Sequence, residues 1–204
     1  MLRALIRRFD AFLARQYGLF NFSDEPDCVL RLQITTASHQ LSFPDLVVQT
    51  GEPVLLLHLW NEHVPPISPE GVDLRWVINM QRSFNKSLEM AGKYMQSEHR
   101  AADIRAVGGI TVLLFAGSRS SGERFMERLG FTVMPYTHPL GWFGEFWENF
   151  FSWWLMWAYN PASLRTRRLF GQHRAEFWMP AEKFLACYGG EPTRPSPQPS
   201  PAVR

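Results

Sequence analysis

Residues 54–60 read V-L-L-L-H-L-W, an apolar run broken only by His58, and Asn61-Glu62-His63 follow before Pro65-Pro66 closes the stretch. Such a run predicts a buried strand that delivers polar side chains to its end. Residues 29–35, V-L-R-L-Q-I-T, alternate with period two, the mark of a half-buried strand. Leu41–Phe43 and Leu46–Val48 read as short strands around Pro44, and Thr50-Gly51-Glu52-Pro53 as a turn into residues 54–60, so an antiparallel meander is expected. Further strands are expected at 107–115, 131–136 and 175–179.

The helical period marks the other elements. In residues 1–19, Leu2, Leu5, Ile6, Phe9, Phe12, Leu13 and Tyr17 project to one side and Arg3, Arg7, Arg8 and Arg15 to the other. This amphipathic helix has two readings: a core helix with a solvated basic face, or one lying on an anionic bilayer. Within 70–103, Leu74, Val77, Ile78, Phe84, Leu88, Ala91, Tyr94 and Met95 predict one long helix, or two broken near Gly92. A loop at 117–122 leads to a short helix over 123–129 closed by Gly130, and Pro180 at a first helical position opens a terminal helix ending at Gly189-Gly190. The fold class is α+β: a mixed, largely antiparallel sheet with packed helices, an N-terminal amphipathic helix and a Trp/Phe-rich C-terminal helix. Residues 1–20 form the N-terminal helix and 21–190 a single domain. The Pro-rich 191–204 cannot bury a face and is expected to be disordered.

Composition sharpens one segment. The chain holds 8 Trp and 16 Phe, concentrated towards the C-terminal half. On a helical projection of 142–159, Glu145, Glu148, Asn149 and Ser152 fall within about 100°. The rest of the circumference carries Trp142, Phe146, Trp147, Phe150, Trp153, Trp154 and Trp157, which are read as facing a membrane or a partner. Burial in the domain, a homo-oligomer seam and insertion into the headgroup boundary compete. The acidic strip argues against anionic lipid, although Arg165, Arg167 and Arg168 would supply the missing charge.

Charge and cysteines set the class. A formal charge of +2, without a Lys/Arg block interleaved with aromatics, excludes nucleic acid as a partner. No stretch reaches about 20 apolar residues, and Arg3, Arg7 and Arg8 interrupt any secretory core. Cys28 and Cys187 lack C-x-x-C spacing and are read as reduced, buried thiols. The expected location is the cytoplasm, peripheral on the inner membrane at most, and no cofactor is implied.

Two places invite chemistry. His58 and Glu62 are candidates for general acid/base catalysis, with Asn61 and His63 as ligand contacts. A metal is not expected there: at about 3.3 Å per residue, strand positions four apart lie about 13 Å from each other. Ligands of one ion sit within about 4 Å of one another. A turn at Asn61, or His39 or His138 from elsewhere, would be needed. The loop at 117–122 offers Ser118, Arg119 and Ser120, with Arg124 beyond it, as anion ligands at a helix start. Arg119-Ser-Ser-Gly122-Glu-Arg124 resembles the pyrophosphate loop of GNAT acetyltransferases up to its last position, where Arg124 replaces a small residue. A small acyltransferase is therefore the alternative function.

Three segments occur in order: G-E-P-V-L-L-L-H-L-W-N-E-H (51–63), E-R-L-G-F-T-V (127–133) and F-W-M-P-A-E-K-F-L-A-C-Y-G (177–189). With them the chain resembles the YkoP-like domain family across nearly all of residues 20–190. The resemblance implies a single α+β domain, sometimes joined to or encoded near polysaccharide deacetylases and other envelope-sugar enzymes. It carries over no catalytic residue. The expected function is a peripheral or monotopic accessory domain in bacterial envelope lipid or polysaccharide metabolism, binding a lipid headgroup or a polysaccharide-modifying enzyme. A soluble structural partner of a sugar-modifying enzyme is the remaining alternative.

Overall fold

The computed structural model describes residues 2–68, 70–112, 119–136, 141–166 and 174–190, with the backbone alone at 100, 111, 112, 119–121, 163, 165 and 166. Helices α1 (Leu2–Gln16), α2 (Leu74–Ser97), α3 (Arg119–Arg128), α4 (Gly141–Tyr159) and α5 (Ala181–Tyr188) accompany strands β1 (Leu30–Thr36), β2 (Leu41–Ser42), β3 (Val47–Val48), β4 (Pro53–Leu59), β5 (Ala106–Val112), β6 (Thr132–Pro135) and β7 (Arg174–Pro180). The main sheet runs β1-β4-β5-β7-β6. β4 and β5 are parallel and the other described pairs antiparallel. A parallel pair needs a long crossover, and α2 supplies it. The mixed, mostly antiparallel α+β architecture read from the sequence is the one observed.

The expected meander is corrected. β1 pairs directly with β4, and β2 and β3 form a separate two-stranded ladder. The backbone N–H groups of Ala37 and Gly51 donate to Glu52 O and Ala37 O, pinning the base of this excursion. β1 can therefore continue into β4 without the hairpin joining the sheet.

Alternation along the strands gives the sheet two unlike faces. The first carries Leu30, Leu32, Leu55, Leu57, Val107, Phe177 and Met179 and packs against Leu88, Ala91 and Met95 of α2, Met126 of α3 and Phe184 of α5. On the second face, Val54, Ala106 and Trp178 are covered by Leu41, Phe43 and Val48 of the hairpin region. The same face also carries polar residues: Arg31, Gln33, His58, Arg174 and Glu176 occupy alternate positions of β1, β4 and β7.

Several boundaries move for local reasons. α2 runs unbroken through Gly92, where a Cβ would collide with the Tyr188 carbonyl of α5, so this glycine permits close helix packing rather than ending a helix. Asp73 caps α2 by accepting from Trp76 N at 2.7 Å. α3 begins at Arg119, so Arg119–Gly122, expected in a loop, form its first turn; packing of Met126 and Gly122 overrides the weak helix preference of Ser and Gly. Pro180 is the N-cap of α5 (φ −52°, ψ 140°), one position earlier than expected. Cys28 is buried, but Cys187 is exposed on α5, which corrects its reading as a buried thiol. Residues 191–204 lie outside the described residues.

Candidate functional site

Helix α4 turns its polar strip towards the sheet. Arg174 of β7 donates through Nη2 to Ser152 Oγ at 2.8 Å and through Nε to Asn149 Oδ1 at 3.3 Å. Its Nε also stands 3.3 Å from Glu148 Oε2. Tyr136 OH donates to Glu148 Oε1 at 3.1 Å. Of the polar residues seen in the sequence, only Glu145 is exposed. The aromatic arc consequently faces outward: Trp142 is 78% and Trp147 52% exposed, while Phe146, Phe150, Trp153, Trp154 and Trp157 are half-buried. Phe150 packs on Trp154 with centroids 5.4 Å apart, and Phe146 stacks on Phe150 at 6.3 Å, giving a ring ladder along the helix. Apart from Gly144 and Ala158, no residue of α4 is buried.

Helix α1 crosses α4 by its mixed side. Ile6 is its buried residue. Arg7 donates to Ala158 O at 3.1 Å and lies 5.0 Å over the Tyr159 ring, and Arg3 lies 5.0 Å over Trp157. Tyr159 OH donates to Asp10 at 3.0 Å, and Phe9 meets Phe151 edge-on at 6.1 Å. Leu2, Leu5, Phe9, Phe12 and Tyr17 are exposed. The core-helix reading of residues 1–19 is thus corrected, because only Ile6 of its apolar side is buried and the rest of that side stays exposed or half-buried. Arg167 and Arg168 lie outside the described residues, as does the side chain of Arg165.

At the end of β4, Trp60 is buried and holds a polar cluster. His63 stacks on its ring at 3.6 Å and 13°, and the Arg31 guanidinium lies 4.6 Å from the ring centroid. Glu62 Oε2 accepts from Trp60 Nε1 at 2.9 Å and from Arg31 at 3.2 Å, and Arg31 Nε reaches Asn21 at 3.1 Å. Glu62 is thereby an anchored carboxylate at the surface, and Asn61 lies half-buried in the turn before it. His63 Nδ1 is 2.8 Å from Cys28 O. A carbonyl only accepts, so Nδ1 carries a proton and donates it to Cys28 O. Burial raises the Asp10 carboxyl above its usual range against the lowering effect of the Tyr159 hydrogen bond and of Arg31.

His58 faces a different neighbour. Its Nε2 donates to Gln33 Oε1 at 2.8 Å, and burial pushes its pKa down to about 4. The ring is neutral at physiological pH, a hydrogen-bonding group rather than a base poised near neutrality. His58 and His63 are committed to separate partners, and no group of three or more His, Cys, Asp or Glu able to hold a metal ion occurs among the described residues.

Across the sheet from His58 lies a group that sequence reasoning did not assemble. Ile110 of β5 pairs with Glu176 of β7. Glu176 is 5% exposed, and its Oε2 accepts from Trp178 Nε1 at 2.7 Å and stands 3.2 Å from His39 Nε2. His39 Nδ1 lies 3.2 Å from Ser38 Oγ. Ile110 is 43% exposed at this level of the second face. The available signal was Glu176 itself, an acidic residue inside the apolar strand A-E-F-W-M. Of the expected anion ligands, Ser118 lies outside the described residues, Arg119 and Ser120 are described by backbone alone in the first turn of α3, and Arg124 is exposed on that helix. Whether that loop joins His58 and Glu62 also lies outside the described residues.

No curated protein and no solved structure matches the chain. The model of the YkoP domain does match, over residues 2–188, and so takes in α1 together with the sheet and its helices. The chain belongs to the YkoP domain family.

Proposed function

We propose that this chain is a peripheral, monotopic domain that seats its α1–α4 surface in the headgroup boundary of an anionic bilayer, as an accessory to envelope lipid or polysaccharide metabolism. The observation that carries the reading is the orientation of α4, with its polar strip bound to Arg174 and its rings outward. An aromatic side chain with one dry and one wet edge suits that boundary. The acidity of the strip weighs less against anionic lipid, because Glu148 is turned to Arg174 and only Glu145 stays exposed. At about 100° per residue, the exposed Arg8 and Arg15 border the Leu5–Phe12 edge of α1, where they meet lipid phosphate. No helix among the described residues is long and apolar enough to cross a membrane; in this reading α1 and α4 lie in the plane of the interface.

Sinking the exposed Leu2, Leu5, Phe9, Phe12, Trp142, Phe143 and Trp147, each about half free of contact, contributes roughly 5–10 kcal/mol before ordering costs. That magnitude suits reversible docking. Flotation of the full chain with vesicles of phosphatidylglycerol and with neutral phosphatidylcholine tests it. Co-flotation with the anionic vesicles is expected; a chain left at the bottom with both overturns the proposal. If the chain instead runs as a dimer that Trp142→Ala dissociates, the surface is a homo-oligomer seam.

A further inference from the structure

We infer that Ser38, His39 and Glu176 form a nucleophile relay that acts on small carboxylic esters. The carboxylate of Glu176 is buried and held by the Trp178 indole N–H at 2.7 Å. An ionised carboxylate only accepts, so the His39 nitrogen 3.2 Å away, Nε2, carries the imidazole proton. The lone pair is then on Nδ1, and Ser38 Oγ, 3.2 Å from it, donates its proton there. Carboxylate on one ring nitrogen and hydroxyl on the other is the arrangement that activates a serine; here the two nitrogens exchange the roles they have in the common triads. Burial of Glu176 under an exposed imidazole is not what packing alone would select, since the same position filled by an apolar residue avoids desolvating a carboxylate.

Access matches the chemistry. Ser38 and His39 are exposed, and Ile110, next to Glu176 across the β5–β7 ladder, presents an apolar surface for an acyl chain. Ser38 Oγ attacks the ester carbonyl carbon as its proton passes to His39 Nδ1. The carbon–alkoxy bond breaks, and the alkoxide takes that proton and leaves as the alcohol. Water then attacks the acyl–Ser38 ester, giving one proton to Nδ1; this proton returns to Ser38 Oγ, and the carboxylic acid is released. Ser38 and His39 are catalytic residues, and Glu176 is a positioning residue that selects the tautomer.

The full chain treated with a fluorophosphonate probe, with the adduct mapped by peptide mass, tests the relay. A single adduct on Ser38 is expected, absent in Ser38→Ala and formed at least about tenfold more slowly in His39→Ala. The pH profile of the labelling rate should differ between wild type and His39→Ala and be altered in Glu176→Gln. Because Ser38 is exposed, Ser38→Ala should keep the wild-type thermal transition; His39→Ala leaves the buried Glu176 carboxylate one partner fewer, so its labelling is read well below its own transition. No adduct on Ser38 in the folded wild-type chain, or equal labelling rates in wild type and His39→Ala, overturns the relay and leaves a local hydrogen bond between chain neighbours. Trp142→Ala should label normally, which separates this activity from membrane docking.

Discussion

Arg174 and Ser152 are joined by a 2.8 Å hydrogen bond from the guanidinium of β7 to the hydroxyl of α4, and this contact decides which way the most aromatic helix of the chain faces. With Asn149 and Glu148 on the same guanidinium, the polar strip is used inside the fold. Trp142, Phe143 and Trp147 are left exposed, and Phe151 and Trp157 meet α1.

Removing that guanidinium should loosen α4 from the sheet. Arg174→Met takes the guanidinium away from Glu148, Asn149 and Ser152 in a partly buried layer, and a loss of about 2–4 kcal/mol is expected in urea unfolding. Glu148→Gln in the same chain should restore part of it. An Arg174→Met protein as stable as wild type would show that α4 is held by its apolar contacts with α1.

The exposed rings should matter for docking and not for folding. Trp142→Ala with Trp147→Ala is expected to change unfolding free energy by less than about 0.5 kcal/mol per site, as for surface positions. Vesicle partitioning should fall by about tenfold or more, since each ring contributes about 1 kcal/mol or more at an interface. Partitioning unchanged by the pair would mean that α1 alone contacts lipid.

Acid should act through His58. Between pH 6.5 and about 4 the unfolded chain takes up a proton on this ring that the folded chain refuses, so stability falls as the pH is lowered through that window. The full effect is up to about 3 kcal/mol. His58→Gln should flatten this part of a stability–pH curve, measured by denaturant titration at a series of pH values. Asp10 works with the same sign of proton uptake reversed: its carboxyl is raised by burial, so the folded chain holds the proton more tightly and stability is lost as pH rises through the raised value. Asp10→Asn should remove that loss.

Gly92 gives a test of packing against propensity. Alanine is favoured by about 1 kcal/mol in a helix interior. Its methyl at this position would run into the Tyr188 carbonyl. Gly92→Ala is therefore expected to destabilise by about 1–3 kcal/mol, read as a lower midpoint of unfolding, because α5 must move off α2. A stabilised variant would show that the two helices separate readily.

Much of the scaffold was legible along the chain. Period-two alternation at 29–35 and the apolar run at 54–60 marked β1 and β4, and Gly130 at φ 89° closes α3 as its position implied. At the end of β4 the sequence grouped His58 with Glu62, Asn61 and His63, whereas Glu62 bonds Trp60 and Arg31 and His58 bonds Gln33. Arg31 and Asn21 were not legible, because they reach Glu62 and each other only through the β1–β4 register and the approach of residues before β1. The pairing of β4 with β5 was equally hidden, since a parallel ladder depends on where a crossover helix returns the chain and not on local pattern.

What the sequence by itself determined was asymmetry: α1 and α4 each have a polar and an apolar side, and the strands alternate. Only the tertiary structure decided what each side touches. A helical period reports that two sides differ, and in most domains the apolar one goes inward because the surface it meets is apolar. Here the second face of the sheet carries Arg174, Glu176 and His58, so hydrogen bonding brings the polar side of α4 inward and leaves Trp142 and Trp147 for another surface. The same sheet brings Glu176 under His39, residues far apart in the chain, and no local pattern could have paired them.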